Sequence, residues 1–195
     1  MKEERFDLSI SPDQRHWTDV ADEMELRQSV GFSPDRVARR ICRAERPTET
    51  IRAVLDEASA LYKHCALFRV QNGSATVWGA RGWEFAEERR ANFAVSAVSG
   101  NPLELLVIHP SFRGPTPVEQ AYVPFFSELG LPFPNEMMLY PVEAAGRLVG
   151  YLYADAGEAG CLETSALQER NLARRLSLGL TIVLFKQKVH ALGDA

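Results

Sequence analysis

The 195-residue chain is predicted to fold as an α+β domain. Three observations predict it: a helix with one apolar stripe near residue 50, two pairs of apolar segments that meet at short turns containing glycine, and a long proline-free apolar stretch near the C-terminus. With 46% hydrophobic and 25% charged residues, the chain suits one soluble core. The net charge of -4 gives no general attraction to nucleic acid or to anionic membrane, so neither is an expected partner.

Residues 1–32 are polar and acidic, with Asp19, Asp22, Glu23 and Glu25 set around Trp17, Val20, Met24 and Leu26. That pattern fits a weak amphipathic helix or a tail, and its carboxylates have no His or Cys at metal-ligand spacing. Ser33-Pro34-Asp35 is a helix start with proline at the first helical position, opening a basic helix to about Ala44. The arginines Arg36, Arg39, Arg40, Arg43 and Arg46 are interleaved with Asp35, Glu45 and Glu49, which favours a solvated face over a phosphate-binding one. Residues 1–47 are therefore expected as an N-terminal helical extension and 48–195 as the main domain. From Thr48, the apolar positions Ile51, Val54, Leu55, Ala58, Leu61 and Tyr62 fall on one face of a helix.

A strand over 65–70 (CALFRV) follows, then the turn Gln71-Asn72-Gly73-Ser74 and a second strand over 75–80 (ATVWGA). Asn-Gly tolerates positive φ at both central positions, so the pair reads as a β-hairpin. Residues 93–98 (FAVSAV) are a third strand candidate, and a short helix is expected from Pro102 through Ile108. Eight of the eleven prolines lie between Pro102 and Pro141, which excludes a long regular element there but leaves room for a short helix over 117–129 closed by Gly130. Strands over 137–142 and 147–154 are joined by Glu143-Ala144-Ala145-Gly146. The last element is a helix over 164–190. Its part from Leu176 to Phe185 is apolar nearly all round and needs a second partner besides a sheet. At about ten residues that part is too short for a bilayer, whose crossing takes about 20.

This order resembles that of a GAF domain over residues 48–190. The residues that carry the resemblance are the junction ending in CALFRV, the turn QNGS, and the pair Leu139-Tyr140-Pro141-Val142 and Ala145 to Asp155 (AGRLVGYLYAD). The segment from His109 to Pro115, followed by Leu129-Gly130-Leu131-Pro132, is similar to GAF-related modules of bacterial signalling proteins. The resemblance implies a central antiparallel sheet of about five to six strands with flanking helices and a long C-terminal helix. It does not imply a particular ligand, so no cofactor is assigned. The Asn-Lys-Phe-Asp-Glu signature of cyclic-nucleotide-binding members is absent. His64-Cys65 reverses the Cys-His order of bilin attachment, and Cys42, Cys65 and Cys161 do not match the clustered cysteines of the GAF-type methionine sulfoxide reductases.

In a GAF-like architecture the excursion carrying His109, Phe112, Arg113, Tyr122 and Phe125 covers the concave face of the sheet, and Tyr140, Tyr153 and Asp155 belong to the strands beneath it. One reading is a pocket for a small anionic or aromatic ligand. The other, favoured by the close packing of protein interiors, is that the aromatics fill the space. Arg113, on an irregular proline-rich segment, turns inward only if it meets an anion or a carbonyl. Asp155, beside Gly157 and Gly160, reads first as a turn residue and second as a ligand contact. A lone His, whether His64 or His109, is a weak basis for haem ligation, and no metal ligands are assigned.

The sequence holds no GxSxG, HExxH or P-loop. The resulting expectation is a cytoplasmic, non-catalytic sensory or regulatory module of bacterial signal transduction, binding a small molecule or a signalling protein. The alternatives are a thiol or redox enzyme using Cys65 and a dimerisation scaffold with a filled pocket. Because Leu176, Leu178, Leu180, Ile182, Val183, Leu184 and Phe185 surround the last helix, a parallel homodimer is expected through the terminal helices, with Leu176, Leu180, Val183 and Leu184 at the interface.

Overall fold

The computed structural model describes residues 34–83, 92–96 and 100–193. The segments 1–33 and 84–91 lie outside it, so the first part of the expected N-terminal extension is not described. Helix α1 (Pro34–Arg43) and helix α2 (Pro47–Ala58) come first. Glu49 closes the start of α2 by accepting the backbone N–H groups of Glu45 and Arg46.

Strands β1 (His64–Gln71) and β2 (Ser74–Arg81) form the first hairpin, around a turn in which Asn72 and Gly73 both take positive φ. Strand β3 (Asn92–Ala94) ends before Val95, and residues 97–98 of the expected strand lie outside the described residues. The excursion contains a 3-10 turn (Pro102–Glu104) running into the one-turn helix α3 (Leu105–Ile108). It then holds a strand, β4 (Phe112–Pro115), a second 3-10 turn (Gln120–Tyr122) and helix α4 (Val123–Leu129), closed by Gly130 at φ 71°. Strands β5 (Glu136–Ala144) and β6 (Arg147–Asp155) make the second hairpin, and α5 (Ala166–Gly193) closes the chain.

The six strands form one antiparallel sheet in the order β3-β2-β1-β6-β5-β4, so the α+β, GAF-like sheet is present with six strands. The sixth, β4, has no counterpart among the predicted strands. Its proline density argues against a strand, but β4 is an edge strand of four residues, where the missing N–H of a proline costs little. It pairs only with Glu136–Leu139, so Pro141, further along β5, has no strand outside it.

Alternation along the strands divides the core in two. Cys65, Leu67, Met138, Tyr140, Val142, Leu152 and Ala154 face the layer of α1, α2 and α5. Ala66, Phe68, Met137, Leu139, Tyr151 and Tyr153 face the excursion. The all-round apolarity of α5 is largely consumed within the chain. One side lies on β5, and at Gly179 the helix comes so near α1 and α2 that an added Cβ would stand 2.5 Å from Thr50 Cγ2 and 2.8 Å from Ile41 Cγ2. Leu176, Leu180 and Val183 are buried in this arrangement, and Leu184 packs against the same core. The four side chains expected at a dimer interface thus pack into the domain's own interior, because α1 and α2 cover the side of α5 turned away from the sheet.

Candidate functional site

On the excursion side of the sheet the described residues bring together a cluster of aromatic rings. Phe125 lies 4.4 Å from Phe93, 5.7 Å from Phe68 and 5.2 Å from Phe126, centroid to centroid, and Phe68 and Phe126 both reach Tyr153. Tyr122 is buried in the same cluster, its hydroxyl donating to Glu104 at 2.9 Å, and Phe112 packs at the margin. Of the residues the sequence groups around a pocket, Phe112, Tyr122, Phe125 and Tyr153 therefore share one face.

At one end of this face is a buried polar group. The register pairs His64, the first residue of β1, with Asp155, the last of β6. The Asp155 carboxylate, wholly buried, accepts His64 Nδ1–H at 2.8 Å and the Gly157 N–H at 2.7 Å on Oδ1, and the Tyr153 hydroxyl at 2.5 Å on Oδ2. Asp155 is thus a turn residue and the centre of a network at once. Burial, with the Asp155 charge beside it, pushes the Tyr153 phenol well above its ordinary value, so this hydroxyl keeps its proton and donates it to the carboxylate. Because a carboxylate only accepts, Nδ1 carries the proton, and the ring is oriented with Nε2 outside the pair. The Trp83 ring meets His64 edge-on at 5.8 Å, and the indole Nε1–H has no acceptor among the described residues. His64 Nε2 and the Trp83 indole N–H are thus the polar atoms of this pair of rings that the Asp155 carboxylate does not engage. In the sequence His64 is a lone histidine; its partner is 91 residues away, and the pairing depends on strand register.

Arg113, Tyr140 and His109 are placed elsewhere. Arg113 pairs with Met138 in the ladder and points to the helix side, where its Nε donates to Glu169 at 2.9 Å and its Nη2 to the carbonyls of Leu162 and Thr164 at 3.1 and 2.8 Å. It meets an anion and carbonyls, all of them supplied by its own chain. Tyr140 donates to the other oxygen of the buried Glu169 at 3.3 Å; burial first, then that carboxylate, pushes its phenol up to about 12. His109 is exposed at the end of α3.

The three cysteines are free and lie on different elements: Cys42 on α1 and Cys161 in the loop before α5 are exposed, and Cys65 on β1 is buried on the helix side. Burial pushes the Cys65 thiol up to about 12, which leaves it un-ionised at neutral pH. No group of three or more His, Cys, Asp or Glu residues is arranged to hold a metal ion among the described residues.

No protein-family model and no curated protein sequence matches the chain. Solved structures do. The GAF domain of a phosphoenolpyruvate-protein phosphotransferase (ptsP) from Coxiella burnetii is 15% identical, with a TM-score of 0.58 over 83% of this chain and 94% of that one. The phycocyanobilin-bound GAF domain of a cyanobacterial phytochrome is 18% identical, with a TM-score of 0.57 over 80% and 98%. A free methionine-R-sulfoxide reductase from Neisseria meningitidis, solved with its substrate, is 12% identical, with a TM-score of 0.57 over 78% and 88%. The chain has a GAF-like fold.

Proposed function

We propose that this protein is a cytoplasmic, non-catalytic sensory or regulatory module of bacterial signal transduction, and that it works as a parallel homodimer whose output element is α5. One observation carries this reading. Leu178, Ile182, Phe185, Val189 and Leu192 follow one another at intervals of 4, 3, 4 and 3 along the outer face of α5, and all but the half-buried Ile182 are more than half exposed. That is a coiled-coil seam with β-branched residues at the a positions, Ile182 and Val189, and Leu or Phe at the d positions, a combination that favours two parallel strands.

The flanking charges permit the pairing. In a parallel dimer each g residue faces the e residue of the partner's next heptad, which sets Thr181 against Lys186 and Lys188 against Gly193, with no like charges opposed. Lys186 is in any case held by Glu45 and by the carbonyls of Cys42 and Ala44 in its own chain. A change of packing in the domain core would be passed along two paired helices.

In this reading the ligand contacts are His64 Nε2 and Trp83 Nε1 at the polar end of the concave face. Native mass spectrometry of freshly purified protein tests it: dimers carrying a retained small molecule, lost in His64→Ala, support it. Peroxide or sulfoxide turnover abolished by alkylating the cysteines would overturn it in favour of the thiol enzyme.

A further inference from the structure

A groove lies on the opposite side of the sheet from the aromatic cluster. Since β4 leaves β5 at Leu139 and Pro141 has no N–H to offer, the outer flank of β5 from Tyr140 onward meets α5 instead of a strand. Its edge amides are capped by the helix: Glu143 N–H donates to Ser177 Oγ and Ala145 N–H to Thr181 Oγ1, each at 3.1 Å. Between strand and helix runs an open groove of about 610 Å³, within the range of about 300–1,000 Å³ usual for small-molecule sites. Tyr140, Pro141, Ala173 and Leu178 give it an apolar lining, and Arg170 and Arg174 stand over it from α5.

Those two arginines are one turn apart on the same helix face. Both are exposed, and neither makes a hydrogen bond or ion pair among the described residues. Arg40, Arg81, Arg113 and Arg175, by contrast, are each bound to a carboxylate. Two uncompensated guanidiniums beside an apolar trough match an oxyanion joined to an apolar body. Glu143, in the same groove where Ser177 caps its amide, repels anionic groups from that stretch and so gives the groove a direction.

We propose that this groove binds a small organic phosphomonoester, its phosphate held between Arg170 and Arg174 and its apolar part lying along Tyr140, Pro141 and Leu178. A phosphomonoester carries about two negative charges near neutral pH, which matches the two guanidiniums where a carboxylate matches one. Every lining residue belongs to one chain, so the inference does not depend on the proposed dimer, although Leu178 is shared by the groove and the seam.

The test is calorimetric titration with phenyl phosphate, read alongside amide chemical-shift mapping of the unmodified protein. Expected are millimolar or tighter binding, shifts centred on Ser177, Ala145 and Thr181, and at least tenfold weaker binding in the Arg170→Gln/Arg174→Gln double variant. Arg36→Gln, on α1, and the seam variant Phe185→Glu should bind as the unmodified protein does. Benzyl alcohol should bind at least tenfold more weakly than phenyl phosphate. Failure of the unmodified protein to bind, shifts elsewhere, equal binding by the double variant, or equal affinity for benzoate would each overturn the proposal, whatever the oligomeric state proves to be.

Discussion

Arg113 and Glu169 join β4 to the first turn of α5 across 56 residues of sequence, through a 2.9 Å bond to a carboxylate with no solvent exposure. Thr164 Oγ1 donates to the same carboxylate at 2.8 Å and receives the Tyr62 hydroxyl at 3.0 Å, so the pair is the hub of a network linking the edge strand, the loop after α2 and the closing helix.

Removing the cation leaves that buried carboxylate with only neutral donors. Arg113→Ala should destabilise the fold by about 2 kcal/mol, below the range for a fully buried pair because the arginine is about one-third exposed. Arg113→Lys, which keeps the charge but loses the fork to the two carbonyls, should fall between. Urea unfolding checks both; an unchanged midpoint for Arg113→Ala would show that the hub does not depend on its charge.

The two faces of α5 should respond differently to the same substitution. Phe185→Glu, on the exposed seam, should leave the circular dichroism spectrum and melting temperature of the monomeric unit intact while converting dimer to monomer in sedimentation at tens of micromolar. Leu180→Glu puts a charge where only 2% of the residue is exposed and should prevent folding. Sedimentation of the unmodified protein as a monomer would remove the dimer.

Cysteine reactivity should divide the three thiols. Cys42 and Cys161 are exposed and should react with a disulfide reagent within minutes; Cys65, buried and held un-ionised, should react only on unfolding. Rapid modification of three thiols in the native protein would restore Cys65 as a candidate redox group.

All five tyrosines, Tyr62, Tyr122, Tyr140, Tyr151 and Tyr153, have phenols pushed above their ordinary value, with burial the largest cause in each. Carboxylates add to the effect at Tyr122 through Glu104, at Tyr62 and Tyr140 through Glu169, and at Tyr153 through Asp155. A raised folded value means the unfolded chain loses its phenolic protons first. The contribution is therefore full below pH about 10 and is lost as pH rises through the folded values, reached near 12 for Tyr140. Absorbance titration should show little tyrosinate at pH 10 in the native protein and an abrupt rise on alkaline unfolding.

Local rules carried most of the fold. The Asn-Gly turn, the stripe from Ile51 to Ala58, the proline stops and the Tyr-x-Asp strand ending each act over a few residues, and the elements they predict match those observed to within a few positions. What escaped was set by register and layer. Phe112-Arg113-Gly114-Pro115 is a strand because an edge of β5 is there to receive it, and Arg113 faces the helices because Met138 is its ladder partner. His64 becomes part of a site only when β1 and β6 align. The outward stripe of α5 was hidden among inward leucines until α1 and α2 showed which side they occupy.

At 28 residues α5 is about 42 Å long, and its inward and outward stripes run side by side from Leu178 to Val183 before the outward one continues alone. The helix is therefore a keyed shaft: Gly179 fixes its angular setting against Thr50 and Ile41, and that setting dictates the bearing of every seam residue beyond. Adding one residue after Lys186 would turn Val189 and Leu192 by about 100° out of line with Phe185, whereas adding seven would return them to nearly the same bearing one heptad further on. The angle at which the outward stripe leaves the domain is thus set at Gly179.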